Sequence, residues 1–352
     1  MRPVAWRLRR RALSSHATQS GDAPMLRPFA ALFALALALS AIAGRSAPET
    51  PETAASAHPL AGEIVAVADG ARLGGPAALA DALRDADVVL IGETHDNAEH
   101  HAAQAWLTET LAPAGLAFEM IPPRMEDALA GLRAEGAPAA LLEHALQWES
   151  RGWPDFGMYA PIFAAAPEAT VTGAEIGMET LTRAMRGDVA GAADDALGGA
   201  APLYRLGDPV APEIAEAMAR EMVAAHCDAI PMEVAQGMIG AQRLRDAALA
   251  DAALRARAYG DGGQVVIITG NGHARRDRGA PAYLAAARPA LSVVSVGLIE
   301  VREGAEDWRA YAEEEGAGPL FDYLWFTARA EREDPCERFL REHGSPEAGE
   351  RG

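Results

Sequence analysis

The chain contains no lysine: all 31 basic residues are arginines, against 50 acidic ones, and the formal net charge is −19. That balance argues against a nucleic-acid partner, which needs a basic face to neutralise phosphates. Without lysine, the stretch Gly270-Asn271-Gly272-His273 cannot complete the G-x-x-x-x-G-K-[ST] loop that cradles nucleotide phosphates. Cysteine is almost as scarce. Cys227 and Cys336 are too few for a disulfide scaffold. In an oxidising compartment they could form one bridge from a mid-chain helix to the C-terminal tail; otherwise they are two inert, buried thiols. Aromatic residues make up only 6%, yet about half of the 352 residues are apolar, enough for a large core in one or two domains. Long hydrophobic runs are absent with one exception, Phe29 to Ala43, which is too short for a good membrane span.

That run has a different meaning. It follows Met25 and Arg27 and ends in Ala41-Ile42-Ala43, the basic, apolar and small-residue order of a secretory signal peptide. Residues 1–43 are therefore expected to be a signal peptide, with 1–24 as an upstream extension, and the protein to be periplasmic or secreted. Removing 1–43, with its six arginines and one aspartate, leaves 25 basic and 49 acidic residues, a net charge of −24. Residues 44–58 and 341–352 are small, polar or charged and should be a disordered linker and tail.

From Pro59 onward apolar runs alternate with helical patterns. "GEIVAVADG", "DVVLIGE", "GLAFEM", "VTGAEI", "QVVIITG", "LSVVSVGLIEV" and "FDYLWFT" read as strands, with helices at Pro76–Arg84 and from an Asn97 cap to Leu111. The fold class expected is α/β, a mainly parallel sheet flanked by helices. Strand signals vanish between Met178 and Tyr259, so residues 178–259 should be a small inserted helical subdomain within a domain spanning 59–340. Its Met218, Met222, Met232 and Met238 fall at partly helical spacings, as core or as a groove for a flat apolar ligand.

Ligands bind beyond the carboxyl ends of strands in such sheets. There the sequence places Glu93, His95, Asp96 and Asn97 after one strand, Glu119 and Glu175 after two others, and His273 after a fourth. Gly92, Gly270 and Gly272 permit tight exits and close backbone approach. Of the adjacent His100 and His101, turned about 100° apart on a helix, one at most should face the site. Glu93, His95, Glu119 and His273 could hold zinc, manganese or iron. They could instead run acid–base chemistry, with His95 or His273 as base and a glutamate orienting it, or form an inert network that braces the loops.

At these residues the chain resembles the ChaN-like haem-binding lipoproteins, in the wider group that holds the erythromycin esterases and Tiki metalloproteases. The matching blocks are G-E-x-H-D-N…H-H-x-x-Q (Gly92 to Gln104), F-E-M (Phe118 to Met120), "WESRGWPDFGMYAPIF", "HCDAIP", "MIGAQRLRD", "GNGHARRDRGAP" and "FDYLWFT…DPC". The resemblance implies an α/β sheet with a helical subdomain, and an exported haem-binding protein of iron uptake. It also implies haem held at a homodimer interface with tyrosine on the iron. Tyr159, Tyr204 and His226 are then the candidate haem ligands. One departure is plain: no cysteine follows the signal for lipid attachment, so membrane anchoring is not expected. The hydrolytic relatives imply the alternative, a metal-dependent or histidine-based hydrolase in which Glu93, His95 and His273 are catalytic and Glu119 supports them.

Overall fold

Seven strands pair into one sheet: β1 (Ile64–Ala66), β2 (Val88–Glu93), β3 (Gly115–Phe118), β4 (Thr170–Gly173), β5 (Val265–Gly270), β6 (Val293–Glu300) and β7 (Tyr323–Thr327). The computed structural model describes residues 48, 50–51, 57–312, 318–334, 336–338 and 341. The expected signal peptide lies outside these residues, as do most of the expected linker and tail. Across the sheet the order is β1-β7-β6-β2-β5-β3-β4, and only β1, against β7, runs antiparallel.

Side chains alternate across a strand, and here both faces are covered. Val88 and Leu90 of β2 enter one core layer, and Val89 and Ile91 the other; Val265 and Ile267 of β5 oppose Val266 and Ile268 in the same way. This double burial explains why the strands read as unbroken apolar runs. Helices Pro76–Leu83, Ala98–Leu111, Glu126–Ala134 and Phe156–Ala165 close one face. Helices Met178–Met185, Val189–Leu197, Met232–Tyr259 and Ala280–Ala287 close the other.

Between β4 and β5 the described elements are all helical. The longest, Met232–Tyr259, lays fully buried Ala250, Ala252, Ala253 and Ala256 against the sheet face, where small side chains allow close approach. Its first half and helix Pro212–Ala225 enclose a separate small core around Met218 and Ile239. Met218 is thus packed in that core, whereas Met232 is 37% exposed. Cys227, just past the Pro212–Ala225 helix, forms a disulfide with Cys336. Among the described residues no helix is long and apolar enough to cross a membrane.

The topology sets the site. From β2 the chain moves to β3 and β4 on one side, returns to fill the gap with β5, then passes to β6 and β7 on the other. A crevice opens at such a switch, beyond the carboxyl ends. Glu93 and Gly270 end their strands in register, so the loops that follow leave side by side.

Candidate functional site

Glu93 closes β2 with its side chain fully buried. Oε1 faces His95 Nδ1 at 2.7 Å and accepts the Tyr159 hydroxyl at 2.9 Å. His101 Nδ1 lies 3.1 Å from Oε2, off line, so this is a charge contact rather than a directed hydrogen bond. The same Nδ1 is 3.1 Å from Gln104 Oε1, and Gln104 orients its amide by donating from Nε2 to Ile91 O. His101 Nε2 is 2.9 Å from the His95 carbonyl. Both ring nitrogens of His101 therefore face acceptor oxygens, an arrangement that favours the imidazolium. The electrostatics agree. Burial disfavours charge on His101, but Glu93 outweighs it and raises the pKa. Burial would lift Glu93, yet the charged contact of His101 and the hydrogen bond and charge of His95 hold its carboxyl at about 2.

His95 is the outward member of this group. Burial pulls its pKa down, but the Glu93 hydrogen bond and the charges of Glu119 and Glu93 raise it overall. The side chain is 35% exposed, the ring meets the edge of Trp153, and Nε2 has no hydrogen-bond partner among the described residues. A Cβ on Gly270 would stand 3.0 Å from that nitrogen, so glycine lets the ring lie over the end of β5. Gly92 serves likewise under Asn271, where a Cβ would come within 2.5 Å of Oδ1. Gly272 has no such neighbour.

Beside it, Glu119 is saturated. Oε1 accepts from Arg245 at 2.9 Å and sits 3.4 Å from His273 Nε2. Oε2 accepts from Thr269 Oγ1 at 2.8 Å and Gly270 N at 2.9 Å. Burial would raise Glu119, but the charge and hydrogen bond of His273 hold it well below the usual range, helped by His95 and Arg245. His273 Nδ1 is 2.6 Å from Asp246 Oδ1. Burial disfavours the imidazolium, but Glu119 and Asp246 on opposite sides push His273 up to about 9. Burial also raises Asp246. We place the shared proton on the ring, because Glu119 adds a second negative charge on its far side.

Glu93, His95, Glu119 and His273 thus converge, as the strand ends implied. As a metal-ligand set they are poorly disposed: the carboxylates are already taken by imidazoles, Arg245, Tyr159 and backbone. Among the described residues no group of three or more His, Cys, Asp or Glu is arranged to hold a metal ion. His100 faces away from the site. Its Nδ1 accepts from Thr94 N and its Nε2 meets Thr327 Oγ1, both at 2.8 Å, and burial lowers its pKa to about 4. Glu175 joins Arg151 and Trp153 instead of the cluster.

The three haem-ligand candidates lie apart. Tyr159 is enclosed at 0% exposure and Tyr204 at 2%, with hydroxyls on Glu93 and Asp251; burial and those carboxylates push both phenols up. His226 is half-buried at the end of helix Pro212–Ala225, its Nδ1 2.7 Å from Met222 O. Arg245 and Asp246 were missed in the sequence. Their signal was charge on an alanine-rich buried helix, with Gln242 and Asp246 four residues apart on one face and Gln242 Nε2 3.1 Å from His273 Nδ1.

Chemically, an imidazole whose Nδ1 is bound to a carboxylate and whose Nε2 faces outward can take a proton or meet a metal centre. A family described as haem-binding uptake, Tiki superfamily, ChaN matches residues 79–284, more than half of the chain. The chain belongs to this haem-binding uptake family. The matched span holds β2 to β5, every residue of the strand-end cluster, and the helical insertion. No curated protein matches. Among solved structures, ChaN of Campylobacter jejuni, described for cofacial haem binding, is 16% identical with a TM-score of 0.56, over 74% of this chain and 95% of that one. That likeness shows the shared fold. The type III effector HopBA1 (14% identity, TM-score 0.42, 73% and 95% coverage) and a mutant erythromycin esterase EreC in its open conformation (14%, 0.35, 76% and 82%) are more distant. With scores that low, neither bears on function, and the hydrolytic alternative gains no support.

Proposed function

We propose that this is an exported haem-binding protein that handles haem or iron for uptake. The observation that carries this reading is the family match over residues 79–284, a span that includes the strand-end cluster and the helical insertion. Export is supported by the Cys227–Cys336 disulfide, a bond that persists in oxidising compartments, and by the Phe29–Ala43 run in the sequence. Of the three expected ligands, placement favours His226, because Tyr159 and Tyr204 are enclosed and a porphyrin would reach either only after their helices moved. His95 is a further accessible imidazole, and its carboxylate backing suits a ligand of iron.

A haemin titration of the purified protein tests this, with the Soret region followed in wild type, His226→Ala, His95→Ala and Tyr159→Phe. The reading expects a saturable band in wild type, shifted or lost in one of the histidine variants and kept in Tyr159→Phe. A wild-type band that rises without saturation would refute it.

A further inference from the structure

The segment that follows β7 runs along the rim of the strand-end site. Thr327 Oγ1 meets His100 Nε2 at 2.8 Å, and Ala328 O accepts from Asn97 Nδ2 at 3.2 Å. Ala330 N donates to Glu300 Oε1 at 3.1 Å, and the same oxygen accepts from Asn97 Nδ2 at 2.7 Å. Arg332 grips both oxygens of Glu300, with Nη1 2.8 Å from Oε2, and its Nε lies 2.8 Å from Asp96 Oδ2. Beyond it, Cys336 is bonded to Cys227 of the helical insertion. Asp96 and Asn97 directly follow His95. The segment therefore holds the loop that presents the exposed imidazole, and it is tied covalently at its far end.

We propose that residues 328–334 form a clasp on the His95 loop, locked by the Cys227–Cys336 disulfide and released when a dithiol reduces it. Residues 328–334 belong to no helix or strand, and Asp96, its anchor on the loop, is 48% exposed. The half-exposed Asp96 pair holds weakly, while the Arg332–Glu300 pair behind it is largely buried. The disulfide joins positions 109 apart and ties the far end of the segment to the helical insertion. Both cysteine residues are partly exposed, so a dithiol can reach them. One thiolate of the dithiol attacks a sulfur and breaks the S–S bond; its second thiolate resolves the mixed disulfide. Two electrons and two protons pass to Cys227 and Cys336, which become thiols, and the dithiol becomes a disulfide. Arg332 then leaves Asp96 and the His95 loop loosens. Arg332 is a positioning residue in this scheme. Its relevance to haem rests on the function proposed above.

Amide hydrogen exchange tests the clasp without haem. The 93–101 peptide should exchange about tenfold faster in Cys227→Ser/Cys336→Ser, in dithiol-treated wild type, and in Arg332→Ala with the disulfide intact, while β5 stays protected. Equal rates in all samples would overturn the clasp, and so would loss of protection throughout the sheet. In parallel, transfer of zinc protoporphyrin, which a dithiol does not reduce, to an apoglobin should be several-fold faster from the unlocked forms. If wild type fails to bind the porphyrin while the 93–101 peptide still accelerates, the haem reading fails and the clasp stands. If the porphyrin binds and neither rate changes, the clasp fails alone.

Discussion

Replacing Glu93 probes the cluster most sharply, because its single charge balances a buried imidazolium. In Glu93→Gln the amide oxygen can still accept from His95 Nδ1 and Tyr159 OH. The amide NH2 would then face His101 Nδ1, where the wild-type carboxylate meets a proton. His101 must give up that proton, keeping only the Nε2–H directed at the His95 carbonyl. Two charge-assisted contacts become neutral ones, each weaker by about 1 kcal/mol, so a loss of about 2 kcal/mol is expected. Glu93→Ala leaves the imidazolium uncompensated in the core and should cost about 3–5 kcal/mol. Urea unfolding at pH 6.5 gives the stabilities, and imidazole 15N shifts give the protonation of His101 directly. A neutral His101 in wild type, or a Glu93→Gln protein as stable as wild type, would refute the reasoning.

Other consequences follow from the same geometry. His273, raised to about 9 from an ordinary 6.5, contributes stability that is complete below pH 6.5 and lost as pH rises through 9. His100, lowered to about 4, contributes stability that is complete above pH 6.5 and lost as pH falls toward 4. Urea midpoints should therefore peak near pH 6.5, with an alkaline loss of at most about 3 kcal/mol; a flat profile from there to pH 9 would contradict the His273 assignment. Gly173→Ala puts a Cβ 2.0 Å from the Ile121 carbonyl oxygen, a backbone atom that cannot step aside. It should lower stability by about 2–3 kcal/mol in thermal unfolding, and a neutral effect would mean that β4 sits further from Ile121. Tyr159→Phe should cost about 1–2 kcal/mol by removing a donor to Glu93, read by the same urea assay.

The central strands β2 and β5 were readable because burial on both faces leaves nearly unbroken apolar runs, and the strand ends located Glu93, His95, Glu119 and His273 together. The remaining partners are long-range and leave little local trace. Tyr159 reads as a ligand candidate from its aromatic block, yet its hydroxyl meets Glu93, 66 positions away. Asp246 and Arg245 sit on a helix whose alanine-rich pattern does not say which face looks at the sheet rim. Glu175 follows a strand like the others, but Arg151 draws it aside. The Cys227–Cys336 bridge could be anticipated only because no other cysteine competes.

Native mass spectrometry after haemin loading and desalting tests the central claim most directly. The account predicts discrete species with a fixed whole number of haems per chain or per pair of chains. A graded ladder of adducts, matching that of an unrelated acidic protein treated alike, would contradict it.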